Sequence, residues 1–119
     1  MLTHQNLVSN AHQLIKLWNI DSSDTLIHSL PIYHTHGLFV AINTSMMSGA
    51  TIRFIKNFNI DLVIEAFKYS TLMMGVPTFY TRLIGDKRLD RSVTKNMKLF
   101  ISGSAPLLTE THQDFYNIT

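Results

Sequence analysis

Four short apolar stretches recur along the chain at intervals of about 20 to 27 residues, and this spacing limits the possible folds more than any other feature. They are residues 25–29, 51–55, 71–74 and 98–102, and each has the composition of a strand. Every interval also holds one segment long enough for a helix, as in the right-handed βαβ crossovers of a parallel sheet. The sequence therefore predicts an α/β fold built from parallel βαβ units.

Helices are predicted where apolar residues recur at helical spacing. They are expected over residues 4–18 after a Thr3 cap, and over 37–47, 61–69, 77–84 and from 109 onward. In the third helix Asp61 is the expected cap, and the expected buried face consists of Leu62, Val63, Ala66 and Phe67. A parallel sheet needs cover on both faces, and both chain ends fall inside the pattern. We therefore expect an incomplete sheet from a longer domain.

Composition narrows the classes of protein that fit this fold. A hydrophobic content of 45% excludes disorder, whereas charged residues make up only 15% of the chain, against about 25% in ordinary soluble domains. We therefore expect further protein to cover part of the surface. The net charge of +2 is not clustered, which does not indicate nucleic-acid binding. No apolar run is long enough to span a membrane, and the absence of cysteine excludes disulfides and thiolate metal sites.

Ligands of open parallel sheets bind beyond the carboxyl ends of the strands, so the segments that follow the strands are the candidate site. After the first strand, His34 and His36 could be two metal ligands in an extended stretch, with His28 as the only nearby third. Two other interpretations stay open for these histidines. They are hydrogen-bonded side chains at a strand-to-helix junction, or they contact a ligand.

Arg82 lies in a predicted helix that is otherwise largely apolar, five residues after Pro77. A guanidinium in such surroundings needs an anionic partner, and its planar fork suits a carboxylate. Two alternatives are that Arg82 reaches solvent at the helix end or that it pairs with Asp86. The segment 102–106 offers hydroxyls and small side chains that leave room for a flat ring or a carboxylate, or it is an ordinary turn. Neither a phosphate-loop motif nor a G-x-S-x-G elbow occurs.

Together these segments resemble the adenylate-forming superfamily, which comprises acyl-CoA synthetases, luciferases and peptide-synthetase adenylation domains. Residues 1–7 are similar to the stretch after the phosphate loop of those enzymes, and residues 30–38 to their Pro-x-aromatic-His-x-x-Gly motif. Residues 74–83 and 100–107 are most similar to the malonyl-CoA and methylmalonyl-CoA synthetase branch. The resemblance covers essentially the whole chain.

The resemblance implies roles for residues that follow the first and third strands. His34 would be the catalytic histidine beside the acyl-adenylate, and Thr35 and His36 would border the acyl pocket. Arg82 would hold the distal carboxylate of a dicarboxylic acid, which agrees with the independent argument for an anionic partner. No metal ligand is implied among these residues.

The resemblance also assigns the segment after the fourth strand. Ser102 and Gly103 would close the carboxylate end of the pocket, and Ser104, Ala105 and Pro106 would line the adenine site. The implied reaction joins malonate or methylmalonate to CoA at the expense of ATP, through an acyl-adenylate, with release of AMP and pyrophosphate. Mg²⁺ would accompany ATP, and the compartment would be the cytoplasm in bacteria or the mitochondrion in eukaryotes.

The sequence lacks several parts of the family pattern. The phosphate loop is expected before Met1, and the Tyr-Gly-x-Thr-Glu segment and the small carboxyl-terminal domain with the catalytic Lys are expected after Thr119. Residues 1–119 are therefore expected to be a partial AMP-binding domain that has no synthetase activity alone, with the rest of the synthetase covering the sheet. An alternative is a non-catalytic remnant that binds a dicarboxylate or a protein partner.

Overall fold

A computed structural model describes all residues from 1 to 119, and its centre is a four-stranded parallel sheet with helices on both faces. The strands are β1 (Thr25–His28), β2 (Thr51–Phe54), β3 (Leu72–Gly75) and β4 (Leu99–Ser102). Their order across the sheet is β2-β1-β3-β4, and each neighbouring pair is parallel. The predicted parallel α/β fold is confirmed.

Five α-helices accompany the sheet. They are α1 (His4–Trp18), α2 (Asn43–Ser48), α3 (Ile60–Ala66), α4 (Pro77–Ile84) and α5 (Thr109–Ile118). Thr3 caps α1 as predicted, since its hydroxyl oxygen accepts from the Asn6 amide at 3.2 Å. The helix predicted over 37–47 is divided, because a π-helix (His36–Ile42) precedes α2. A 3₁₀ turn (Phe67–Tyr69) follows α3.

The predicted cap and buried face of α3 are wrong in part. The cap is Asn59, whose side-chain oxygen accepts from the Leu62 amide at 3.0 Å, and Asp61 lies in the first turn. A helix that begins at Ile60 points positions 60, 63, 64 and 67 toward the sheet. Ile64 is therefore buried, whereas Leu62 is 56% exposed.

The core lies in two layers, because successive strand side chains point to opposite faces of a sheet. On one face, Ile27 and Met73 pack with α3, α4 and α5 in a cluster that includes Phe67 and Phe115. On the other face, a smaller cluster packs against the π-helix and α1; its buried members are Ile20, Leu26, Leu30, Ala41, Leu72 and Met74. No helix of the structure is both long and apolar enough to cross a membrane.

The strand order determines where a ligand site can lie. The connection from β1 leads outward to β2 with α2 on one face, and the connection from β2 returns past β1 to β3 with α3 on the other face. The connection from β3 to β4 carries α4 on the same face as α3, so the loops after β1 and β3 leave the sheet toward opposite faces. In open α/β sheets a ligand crevice forms where this happens, at the carboxyl ends of the strands.

Candidate active site

The loops that follow β1, β3 and β4 are joined at the carboxyl edge of the sheet. Nδ1 of His36 lies 3.1 Å from Oγ of Ser104, which links the loop after β1 to the loop after β4. The Gly103 amide donates to the Gly75 carbonyl at 3.0 Å, which links β4 to the end of β3. The three candidate segments, which follow β1, β3 and β4, therefore meet at the carboxyl edge of the sheet.

Gly103 allows the closest of these contacts. A Cβ atom at this position would lie 2.9 Å from Cε1 of His36 and 3.2 Å from its Nδ1. Ser104, the next residue, has a left-handed backbone with φ 68°, which a residue other than glycine rarely adopts. Such a backbone conformation costs free energy and persists only where the surrounding structure holds it in place. It is concentrated at functional sites.

A cavity of about 420 Å³ opens beside the His36–Ser104 contact. Its walls come from α1, the start of the π-helix and the end of β4; the lining residues are Asn10, Leu14, Trp18, Thr35, His36, Val40, Ile101, Ser102, Gly103 and Ser104. Five of the candidate residues from the sequence line this cavity, namely those at 35, 36, 102, 103 and 104. The α1 wall was missed, although Asn10, Leu14 and Trp18 recur at helical spacing on one face.

Three groups give this edge its polar character, namely half-buried His36, fully buried His28 and the buried hydroxyl of Ser102. Burial lowers the pKa of His36 below its ordinary value of 6.5, so the ring is neutral near pH 7 and can donate to or accept from Ser104. Burial, and then the charge of His36, lowers the pKa of His28, which is fully buried at the end of β1 and has no partner for either ring nitrogen. The Ser102 hydroxyl is also buried and has no hydrogen-bond partner within the chain.

Three other candidate residues lie outside the cavity. His34 is exposed, and its ring packs at a tilt against Tyr33 with 4.7 Å between centroids. Ala105 and Pro106 are exposed on the loop that continues from Ser104. These residues form the outer surface of the carboxyl edge.

Arg82 lies apart from the cavity, in the last turn of α4. Its guanidinium carbon is 4.8 Å from the centroid of the Phe58 ring, and it forms no salt bridge or side-chain hydrogen bond within the chain. The alternative partner, Asp86, instead accepts from Arg88 at 2.6 Å. The alternative pairing of Arg82 with Asp86 is therefore wrong. Arg82 is exposed at the end of α4, as expected if it reaches solvent, so the anionic partner inferred from its burial is not required, and its donors are not used within the chain.

The histidines do not form the metal site that the sequence left open. No group of three His, Cys, Asp or Glu side chains in the chain is arranged to hold a metal ion. His36 contacts Ser104, as expected for a hydrogen-bonded histidine at a strand-to-helix junction, whereas His34 has no side-chain hydrogen bond.

Comparison with known proteins shows the family to which the whole chain belongs. The family model described as "AMP-binding enzyme" matches residues 1–119. The chain therefore belongs to the AMP-binding enzyme family. This membership confirms the predicted resemblance to adenylate-forming enzymes, and the relatives include malonate–CoA ligases as expected.

Curated relatives of this AMP-binding chain are much longer than the chain itself. A malonate–CoA ligase of Arabidopsis thaliana is 28% identical over 137 residues, covering 98% of this chain and 22% of the relative. The mitochondrial malonate–CoA ligase ACSF3 of Homo sapiens is 30% identical over 135 residues, covering 98% of this chain and 23% of the relative. The AMP-binding chain thus spans about a quarter of the length of these relatives.

Solved structures share the fold of this AMP-binding chain closely. ATP-bound MatB from Rhodopseudomonas palustris is 48% identical with a TM-score of 0.98, covering 100% of this chain and 24% of MatB. A malonyl-CoA ligase in a product complex with methylmalonyl-CoA and AMP is 27% identical with a TM-score of 0.87, covering 95% and 25% of the two chains.

Proposed function

We propose that this chain is part of an AMP-forming acid–thiol ligase that converts malonate or methylmalonate, ATP and CoA to the acyl-CoA, AMP and pyrophosphate. The observation that carries the proposal is the contact of His36 with Gly103 and Ser104, since it joins the loops after β1 and β4 beside a cavity. The names of the Arabidopsis and human relatives support the choice of malonate.

The reaction needs a site that orients two anions. In the first step a carboxylate oxygen of the acid bonds to the α-phosphorus of ATP and pyrophosphate leaves. In the second step the CoA sulfur bonds to the acyl carbon and AMP leaves. A protein accelerates such steps mainly by positioning the reactants and stabilising the charge that develops.

Residues at the cavity suit the reacting end of the acid. We assign Thr35 and His36 to the wall of the acyl pocket, where a neutral His36 adds no charge to the ligand. The free Ser102 hydroxyl and the Gly103 backbone would meet the reacting carboxylate. His34, exposed on the same loop, would lie beside the acyl-adenylate.

Arg82 is assigned to the distal carboxylate of the diacid. The planar guanidinium presents its N–H groups in a fork that matches two carboxylate oxygens, and no acidic side chain of the chain occupies it. This pairing would distinguish malonate from an acid that lacks the second carboxylate.

The nucleotide would meet the loop after β4. Ser104, Ala105 and Pro106 are exposed and small, which would leave room for a flat adenine ring. Mg²⁺ would arrive with ATP. The loops that follow β1, β3 and β4, which are residues 29–36, 76 and 103–108, contain no Asp or Glu to hold it. No step of the proposed mechanism therefore depends on a metal held by these loops.

The proposal is tested with an exchange chimera, in which residues 1–119 replace the matching segment of R. palustris MatB. The two segments share the same backbone fold, with a TM-score of 0.98 and 48% identity. We expect malonate-dependent pyrophosphate release and formation of malonyl-CoA, with the parent MatB assayed in parallel. Arg82→Ala in the chimera should lower kcat/KM for malonate about 10- to 100-fold, as for loss of a charge-assisted pair, and lower it less for propionate.

Two results would overturn the proposal. One is a folded chimera that uses propionate but not malonate, and the other is an Arg82→Ala variant that loses both acids equally. If the 119-residue chain binds malonate but the chimera shows no malonate-dependent turnover, the result favours the non-catalytic module. Localisation of the tagged protein tests the proposed compartment, which is mitochondrial in a eukaryotic host, as the name of the human relative says of that protein.

A further inference from the structure

The Phe58 ring contacts two side chains of α4. Its ring stacks on Phe79 with 4.1 Å between centroids and 14° between planes, and the Arg82 guanidinium lies 4.8 Å from the centroid of the same ring. Phe79 and Arg82 are three residues apart on α4, so they lie on one face of the helix. The three side chains form a ladder that we call the Arg82 ladder.

The Arg82 ladder is fixed at its inner end by the sheet. A Cβ atom at Gly75, the last residue of β3, would lie 3.0 Å from Cδ2 of Phe79, so the Phe79 ring packs directly on this backbone. Phe58 and Phe79 also pack against the larger hydrophobic core. The outer end of the ladder is the exposed guanidinium of Arg82.

Stacking on a ring restricts a guanidinium without using its donors. In a stacked arrangement a ring contacts the flat face of a guanidinium, whereas the N–H groups lie in its plane and point outward. Neither a salt bridge nor a side-chain hydrogen bond restrains Arg82, so the Phe58 ring is the contact that limits its orientation. A long cationic side chain that is restricted before binding loses less entropy when it captures an anion.

We propose that Phe58 is a positioning residue for Arg82, and through it a determinant of selectivity for dicarboxylates over monocarboxylates. This inference rests on the proposed function, because it assumes that Arg82 binds the distal carboxylate. Phe58 belongs to the loop after β2, so it extends the site to a segment that the sequence motifs did not include.

The test is the selectivity ratio of the exchange chimera, which is kcat/KM for malonate divided by kcat/KM for propionate. Phe58→Leu keeps an apolar side chain but removes the aromatic face. We expect the ratio to fall roughly three- to tenfold, mainly through a higher KM for malonate. Phe58→Tyr keeps the ring and should keep the ratio of the unmodified chimera within about twofold.

A second contact between an arginine and an aromatic ring provides a matched control. Arg53 lies over the Tyr69 ring at 5.5 Å, and neither residue belongs to the candidate site. Tyr69→Leu removes a ring from beneath an arginine in the same way and should leave the ratio unchanged. Thermal unfolding of each variant shows whether it is folded, and Phe58→Met replaces Phe58→Leu if that protein does not fold.

The outcomes separate the two proposals. If Arg82→Ala leaves the ratio unchanged, the role of Arg82 in the proposed function fails. If Arg82→Ala lowers the ratio but Phe58→Leu and Phe58→Met do not, only the positioning role of Phe58 is overturned. Equal losses for both acids in the Phe58 variants would also overturn it, since they would show a purely structural role.

Discussion

The His36 ring packs against the backbone of Gly103, with so little space that a Cβ atom there would lie 2.9 Å from Cε1 of the imidazole. Residues 36 and 103 follow different strands, β1 and β4, which β3 separates in the sheet. The contact therefore sets the distance between two loops that have no sequence proximity. The site therefore requires glycine, which has no Cβ atom, at position 103.

Gly103→Ala is expected to displace His36 and break its contact with Ser104. The backbone at Gly103 is not in the left-handed region, so alanine adds no conformational strain and the free energy of unfolding should change little. Displacing a group at a reacting centre by about 1 Å can cost about 100-fold in rate. We expect kcat/KM of the exchange chimera for malonate to fall at least about tenfold.

Gly85→Ala is the control for this substitution. A Cβ atom at Gly85 would meet only the carbonyl oxygens of Arg82 and Thr81, at 3.6 and 3.9 Å, which are ordinary contact distances. This variant should keep its activity. Full activity of Gly103→Ala would contradict the proposed role of the His36–Gly103 contact.

Lys98→Met is expected to destabilise the fold at the amino end of the sheet. Nζ of Lys98 lies 2.8 Å from Oδ2 of Asp24, a side chain that is only 3% exposed and also accepts from Thr71 at 2.7 Å. Removing the cation leaves a buried carboxylate without its counter-charge. The Lys98 side chain is 34% exposed, so solvent limits the expected loss to about 1–3 kcal/mol in the free energy of unfolding.

The Lys98 prediction is checked by urea unfolding, followed through the fluorescence of the single tryptophan, Trp18. Lys68→Met is the matched control, because the pair of Lys68 with Glu65 is exposed on both sides and should contribute little to the free energy of unfolding. Equal effects of the two substitutions would show that the Asp24 pair has no special weight.

His28→Leu is expected to make the protein less sensitive to mild acid. Burial, with a smaller effect of the His36 charge, lowers the pKa of His28 below 6.5 in the folded chain. As the pH falls below 6.5 the unfolded chain binds a proton that folded His28 does not, so the free energy of unfolding decreases. Leucine removes this contribution, so the decrease in the free energy of unfolding as the pH falls below 6.5 should be smaller in the variant.

The measurement for His28 is a set of urea unfolding curves at several pH values. His36, whose pKa burial also lowers, remains in the variant and leaves part of the pH dependence. His12 is exposed on α1, and His12→Gln serves as the control that should keep the full dependence. An unchanged pH profile in His28→Leu would mean that His28 is not the group that titrates.

Local sequence patterns were enough for most of the fold. The Thr3 cap of α1 and the Pro77 start of α4 were predicted because each depends on residues adjacent in sequence. The cap of α3 was placed two residues late, at Asp61, since Asn59 and Asp61 are both suitable cap residues. The π-helix was not predicted, because its apolar residues also fit the spacing of an α-helix.

Predictions of individual partners were less successful, and distance along the chain explains this. Asp86 was a plausible partner of Arg82 because the two are four residues apart, but Arg88 holds that carboxylate. The ring that Arg82 contacts belongs to Phe58, in the loop after β2. Such a contact depends on how α4 packs on the sheet, which no local pattern contains.

By itself, the sequence determined the parallel α/β fold and the segments that carry the candidate site, because strand and helix spacing are properties of neighbouring residues. The tertiary structure decided which of these segments touch. The strand order β2-β1-β3-β4 places β3 between β1 and β4, and packing then brings His36 onto Gly103 and Arg82 onto Phe58. These contacts arise only when distant parts of the chain are buried together, so they are decided by the folded arrangement as a whole.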